Sequence, residues 1–350
     1  MIFSILFLTA NVVGAGEIYF EGEKADWGEP LNVEGRILLP FRPLFQALGA
    51  EVDWNEQDRI ISAKKDSLIL QLVPEKRLVK INDYYQVLDI APQIINNISY
   101  VPLRFVGETL GALVHYESGS KRVFLQSGFA VTSLPTKPLW TKAPLICIDP
   151  GHQEKPDYRM EKVSPFTSAE KYRVAPGTRG VATGKSEYVL NLEVGLLLKE
   201  ALESSGYQVL MTRETNSVNI SNQERAELAN EREADIVLRL HADASGSSSR
   251  SGISILAPAK TGNYQSEIFA ESELLAFLVL DSMLEATGAN PLGVVYRSDL
   301  TGFNWSKVPV VLIELGFMTN STEDVLLSEP SYQQKLVEGM HKGIDAYFGK

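Results

Sequence analysis

From Ala143 onward the chain alternates short apolar runs with segments long enough to be helices, and this alternation restricts the fold more than any other feature. Apolar runs over 145–148, 208–212, 236–240, 253–256 and 310–313 predict strands. Longer segments over 187–203, 223–232, 267–286 and 332–348 predict helices. Strands separated by helices predict an α/β fold, a twisted and mostly parallel sheet flanked by those helices. Ser221 stands three residues before Glu224, and Ser331 three before Gln334, so both helix starts are expected to carry capping boxes.

Two of these strands lead into a histidine. The first reads Ile148-Asp149-Pro150-Gly151-His152, the second Val237-Leu238-Arg239-Leu240-His241, and the run Val310-Val311-Leu312-Ile313 ends on Glu314. The whole chain has only four histidines. Open α/β sheets place their chemistry at the carboxyl ends of the strands. Two imidazoles and a carboxylate there suggest a zinc hydrolase, with Glu187 at a helix start as a third ligand. Each residue also has a plain structural reading. A histidine after a sharp turn can be purely structural. A first-turn glutamate favours the helix dipole. Glu314 could pair with Arg297 or Arg239; left partly desolvated instead, its pKa would rise toward that of a general base.

The lone cysteine, Cys147, lies inside an apolar run, which excludes an internal disulfide framework and reads as a small buried hydrophobe. A net charge of -11, with no basic stripe, argues against nucleic acid as a partner and against docking on anionic lipid. Residues 1–15 form a short apolar run ending Val13-Gly14-Ala15, which suits a signal peptide with a small-residue cleavage site. No Lys or Arg precedes that run, so a buried strand is the alternative. No later run of eighteen apolar residues exists, and no membrane insertion is expected of the mature chain.

At 350 residues the length favours about two domains, and the first third contains an internal repeat. Leu39-Pro40-Phe41-Arg42 leading to Leu48-Gly49-Ala50-Glu51-Val52-Asp53-Trp54 returns as Val101-Pro102-Leu103-Arg104 leading to Leu110-Gly111-Ala112-Leu113-Val114-His115-Tyr116. Each copy reads as strand, short helix after the proline, then strand, with Leu-Gly as the helix C-terminus. Further strands are expected over 59–62 and 122–126. The repeat, over 17–127, resembles the N-terminal domain of copper amine oxidases, which is also attached to many bacterial wall enzymes and carries no copper chemistry itself. His115 fills the place that Asp53 holds in the first copy, so it reads as a strand residue. A Pro-containing linker over 128–142 separates this smaller α+β repeat domain from the domain over 143–350.

The second domain resembles zinc N-acetylmuramoyl-L-alanine amidases of the third type. The resemblance rests on Asp149-Pro150-Gly151-His152, on Ser186-Glu187 leading Leu190-Asn191-Leu192, on His241-Ala242-Asp243-Ala244, and on Pro309 through Ile313-Glu314-Leu315-Gly316-Phe317-Met318-Thr319-Asn320. It implies one zinc ion held by His152, Glu187 and His241, with Glu314 as catalytic base. It implies peptidoglycan as substrate, cut between N-acetylmuramic acid and L-alanine, and a secreted or wall-associated enzyme. Arg297, in the segment before the last strand, is a candidate for holding a substrate carboxylate. The alternatives are a wall-binding protein with an inactive amidase-like fold and a zinc peptidase acting within the stem peptide. Two features depart from the family. Gln153-Glu154 replaces the usual Gly-Gly, and about thirty extra polar residues, over 153–184, precede Glu187. That insertion reads as a loop beside the cleft.

Overall fold

The computed structural model describes residues 13–14, 16–117, 119–129, 142–260 and 264–350. Contacts divide the chain into two compact units, Met1–Pro138 and Leu139–Lys350. Of the leader-like stretch, only Val13–Gly14 is described, as a short strand antiparallel to Leu31–Val33; the remainder, and most of the linker, lie outside the described residues.

In the first unit the two sequence repeats become two copies of one motif. Strand Arg36–Pro40 leads to helix Phe41–Ala47 and strands Glu51–Asn55 and Ile60–Lys65. Strand Ile98–Pro102 leads to helix Leu103–Thr109 and strands Leu113–Glu117 and Arg122–Gln126. Each helix ends at the expected Leu-Gly step, and Gly49 (φ 75°) and Gly111 (φ 81°) adopt the left-handed conformation that closes a helix. Equivalent strands pair antiparallel, and the equivalent residues Leu39 and Val101 are direct partners. A local two-fold therefore relates the copies. Phe45, Ile61 and Leu70 share one core with Val101, Leu110 and Val123, so neither copy buries its apolar face alone. His115 is an exposed strand residue beside Phe124.

The second unit is built on a six-stranded sheet. Its elements are β1 (Leu145–Pro150), β2 (Asp157–Lys162), β3 (Glu170–Val174), α1 (Glu187–Ser204), β4 (Gln208–Met211), α2 (Asn222–Glu231), β5 (Ile236–Asp243), β6 (Ile253–Pro258), α3 (Tyr264–Thr287), β7 (Pro291–Arg297), α4 (Thr301–Asn304), β8 (Val310–Phe317), α5 (Ser321–Leu327) and α6 (Pro330–Phe348). The sheet order is β4-β1-β5-β8-β6-β7. Four strands run parallel, β6 runs antiparallel to β8, and β7 follows β6. The link 244–252 between β5 and β6 is shorter than the dozen or so residues that a parallel crossover requires, so the chain returns in the opposite direction. Apolar side chains of α1, α3 and α6 bury one continuous core against the sheet, including Leu190, Leu198, Val279, Met283, Leu336 and Met340. Among the described residues no helix is long and apolar enough to cross a membrane.

Two local expectations meet different outcomes. Ser221 and Glu224 form a reciprocal capping box at α2. Ser331 caps nothing: α6 begins one residue earlier, on Pro330, whose fixed φ and missing N–H suit a first helical position. The 153–184 insertion is also more than a loop. Its β2 and β3 form an antiparallel hairpin. Trp305 Nε1 donates to the carbonyl of Lys162 (2.9 Å), Lys171 Nζ to the carbonyl of Asp299 (2.6 Å) and Asn222 Nδ2 to that of Arg173 (2.9 Å), which holds the hairpin over the sheet.

Candidate metal centre

β1 and β5 are neighbours, and Pro150 is the cross-strand partner of Leu240. This register brings the turn after β1 beside the end of β5. Gly151 occupies the turn because nothing larger fits, since a Cβ there would stand 2.2 Å from the His241 ring. His152 then takes a positive φ of 60°, a conformation that L-residues rarely adopt. Its carbonyl accepts from Arg225 Nη2 (3.0 Å). The imidazole donates from Nδ1 to the carbonyl of Ala175 (2.8 Å), which turns Nε2 inward. The turn itself is clamped by Arg213, whose Nε donates to the carbonyl of Pro150 (2.8 Å) and Nη2 to that of Gly151 (3.1 Å).

Glu187 is the first residue of α1 and is buried. Its Oε1 lies 3.2 Å from His152 Nε2 and 3.1 Å from His241 Nδ1. The two imidazole rings stand nearly edge to face, 4.8 Å apart. The donor atoms of His152, Glu187 and His241 all lie within 4.8 Å of one another. Glu187 is aimed by further contacts. The backbone N–H of Thr178 donates to Oε2 (2.8 Å), and Asn191 Nδ2 and the N–H of Ala242 donate to Oε1 (3.3 and 3.2 Å). Gly177 leaves room for this packing, since a Cβ there would come within 2.8 Å of Oε2. Burial alone would raise the Glu187 pKa, but the hydrogen bonds and charges of the two histidines hold it well below the usual carboxylate range.

Glu314 is the direct partner of His241 on the adjacent strand β8. Burial pushes its carboxyl pKa well up, the charges of Asp243 and Glu187 push it further, and Arg297 opposes them. Among the described residues neither candidate arginine pairs with it. Arg239 donates to Asp149 and Asn222, and Arg297 is bidentate to Asp299 (2.7 and 2.9 Å). Among the described residues, Glu314 Oε2 and His241 Nε2 are buried without a hydrogen-bond partner. Orphaned buried polar atoms of this kind are rare in folded proteins and ask for a ligand.

Arg297 lies farther from the reacting end than the order of segments suggests. It ends β7 and is level with Pro258 on β6, whereas Glu314 is level with Ser254. Four residues separate those levels, roughly 13 Å along the strand. A cleft of about 520 Å³ opens beside the histidines. Its floor is Arg239, His241 and Leu312, and its far wall is the hairpin residues Met160, Lys171 and Tyr172.

Beneath the site is a buried ionic hub that sequence reasoning missed. Asp149, on β1, accepts from Arg225 Nη1 (2.6 Å), Arg239 Nε (2.8 Å) and Thr212 Oγ1 (2.6 Å). Burial would raise its pKa, yet the two guanidinium groups pull it far below the carboxylate range. The signal was present in the sequence as a charged residue directly after an apolar run.

Burial holds the His241 pKa down to about 4. The unfolded chain takes up this proton near pH 6.5, so acid favours unfolding. The metal-free protein is expected to keep the full contribution of this group above about pH 6.5 and to lose it progressively as the pH falls to about 4. Thermal melts across that window test this. A His241→Gln protein, which cannot titrate there, should show a shallower decline; an identical decline would refute the assignment.

Comparison with known proteins agrees with this geometry. Residues 146–346 match the family profile described as N-acetylmuramoyl-L-alanine amidase, and residues 19–125 match that of the copper amine oxidase N-terminal domain. The chain is 28% identical over 225 residues to an N-acetylmuramoyl-L-alanine amidase of Mycobacterium tuberculosis, covering 62% of this chain and 91% of that protein. It is 29% identical over 203 residues to the amidase LytC of Bacillus subtilis, covering 58% of this chain and 35% of that longer protein. Among solved structures, the amidase Ami1 of Mycobacterium smegmatis superposes with a TM-score of 0.54 at 25% identity, covering 59% of this chain and 98% of that one. With more than half its length matched and its two histidines and two glutamates gathered at one end of the sheet, this chain belongs to the N-acetylmuramoyl-L-alanine amidase family.

Proposed function

We propose that the chain is a secreted, zinc-dependent peptidoglycan amidase that cleaves the bond between N-acetylmuramic acid and the L-alanine of the stem peptide. The observation that carries this reading is the pairing of His241 with Glu314 across β5 and β8, each with an unpartnered buried atom, beside His152 and Glu187. Two neutral imidazoles and one ionised carboxylate suit zinc, and three protein ligands leave a position open for water or substrate. The ionised state of Glu187 and the inward Nε2 of His152 fit this donor set. When bound, a zinc ion supplies Lewis acidity, polarising the amide carbonyl and lowering the pKa of water.

The other roles fall to side chains of the chain. Glu314 is within reach of the same space and takes the proton from the attacking water, then delivers it to the leaving amine of L-alanine. The bond broken is the amide C–N; the lactyl group leaves as a carboxylate and the peptide as a free amine. The hairpin of β2 and β3 walls the cleft along which the stem peptide lies. Arg297 is the proposed partner of a substrate carboxylate, and Asp299 must release its guanidinium when such a group binds.

Product mass spectrometry tests this reading. Digestion of purified wall is expected to release stem peptides with a free amino group on L-alanine. Removal of the metal by a chelator should cut release by more than about a hundredfold, with recovery on adding zinc. Cleavage inside the stem peptide would make the protein a peptidase instead. Release insensitive to the chelator would remove the zinc.

A further inference from the structure

One short segment aims two of the three converging ligands. The carbonyl of Ala175 accepts from His152 Nδ1 (2.8 Å), and the N–H of Thr178 donates to Glu187 Oε2 (2.8 Å). The chain then doubles back on itself before it enters α1. The N–H of Glu187 donates to the carbonyl of Thr178 (3.0 Å) and that of Gly180 to the carbonyl of Lys185 (2.9 Å), with Arg179 opposite Ser186 between them. Residues 178–187 are thus a small antiparallel loop. Its open end holds the Glu187 carboxylate, and its tip is 181–184. The carboxylate is only as fixed as that loop.

The tip is pinned from a distant part of the chain. Asp324, in α5, is fully buried, although Val181, Ala182 and Thr183 at the tip are exposed. Its Oδ2 accepts from the N–H groups of Ala182 (2.7 Å) and Thr183 (2.8 Å), and its Oδ1 from Thr183 Oγ1 (2.7 Å). The fit is close, since a Cβ on Gly180 would stand 2.0 Å from Asp324 Oδ1. The N–H of Val181 donates to the carbonyl of Met318 (3.1 Å), just beyond β8. A carboxylate in a first helical turn can be present for the helix dipole alone, but that reason is insufficient here. Asn320 already caps α5, accepting from the N–H groups of Thr322 (3.0 Å) and Glu323 (3.2 Å). An exposed aspartate would serve the dipole as well, whereas a buried one is costly unless its oxygens are hydrogen-bonded. Among the described residues, the donors to the Asp324 carboxylate all belong to the loop.

We propose that Asp324 is a positioning residue for the metal centre: it anchors the 178–187 loop, which fixes the Glu187 carboxylate and, through the adjoining Ala175, the His152 ring before an ion binds. The step to zinc rests on the function proposed above; the anchoring does not. Groups that orient metal ligands typically contribute about 10–100-fold to metal affinity. One stretch of chain, from β8 into α5, thereby supplies Glu314 and also steadies two of the ligands.

The test titrates zinc into the metal-free full chain in competition with a chromophoric chelator, and follows amide hydrogen exchange on the same metal-free protein. Asp324→Ala is expected to bind zinc about 10–100-fold more weakly than wild type. Asp324→Asn should stay within about threefold, because its oxygen can accept from the two N–H groups and its amide can donate to Thr183 Oγ1. Thr183→Val, at the exposed tip, removes one of the three bonds and should weaken zinc binding about fivefold. In metal-free Asp324→Ala, exchange should quicken at the amides of Thr178, Ala182, Thr183 and Glu187 and stay as in wild type along β1 and β5. Wild-type zinc affinity in Asp324→Ala, or exchange that quickens across the whole sheet and not in the loop alone, would overturn the proposal. Should Asp324→Ala fail to fold, wild-type affinity in Thr183→Val would overturn it instead. A wild-type chain that takes up no zinc would remove the proposed function, and the local exchange would still decide the anchor.

Discussion

Replacing Glu314 by glutamine is expected to lower turnover on wall fragments by about a thousandfold, with KM unchanged, since a positioned general base contributes roughly 10²–10⁴. The amide keeps the shape of the side chain but cannot accept a proton. Zinc content should match wild type, because Glu314 is not among the three converging donors. Stability should be unaffected or slightly higher. The wild-type carboxyl is buried, its pKa is pushed up by desolvation and by Asp243 and Glu187, and its Oε2 has no partner. Removing an ionisable group from such a place relieves a cost. A Glu314→Gln enzyme within tenfold of wild-type turnover would take the proton-transfer role away from this residue.

The largest loss of stability is expected at Asp149. Asp149→Asn leaves Arg225 and Arg239 buried side by side without their counter-ion. Breaking a buried ion pair from one side typically costs about 3–5 kcal/mol. For a unit of this size that corresponds to a fall in melting temperature on the order of 10 °C. Activity should fall as well. Arg225 also holds the carbonyls of Pro150 and His152, so a displaced guanidinium releases the turn that sets the His152 ring. The distinguishing measurement is zinc affinity at a temperature where the variant is still folded. It should weaken if the hub positions the ligand and stay the same if the hub only stabilises the sheet. A melting shift below about 2 °C would show that the two arginines are not held by this carboxylate.

The strands that carry the site were legible because they are buried on both faces. Ile146-Cys147-Ile148 and Ile236-Val237-Leu238 are continuous buried apolar runs, and the histidine that follows a few residues after each stands out. Glu187 was ambiguous by nature: a carboxylate in a first helical turn has a sufficient local reason to be there. Only its distances to His152 and His241 separate the two roles. The hairpin β2–β3 escaped notice for a different reason. Asp-Tyr-Arg-Met-Glu-Lys faces the cleft on one side and solvent on the other, so four of its six residues are exposed and no apolar period survives. β7 sits at the sheet edge, with no fully buried residue, and shows the same weakness. The reversal of β6 and β7 depends on the length of one link, which the period of the side chains does not encode. In the first unit, the repeat announced its two copies. Their pairing through Leu39 and Val101 required knowing which edges meet.

The strand order has a consequence for how an active molecule comes into being. β8 lies between β5 and β6, yet it is made after both of them and after α3 and β7. A nascent chain that stops before residue 310 has β4-β1-β5 and β6-β7 as two separate pieces with open edges, and it lacks Glu314 altogether. These contacts span long stretches of sequence, which makes their formation slow and late. In a chain assembled in this order the four site residues come together only when β8, the last strand of this sheet to be made, has inserted between β5 and β6. The completion of the site is thereby tied by topology to the latest-made strand of the sheet.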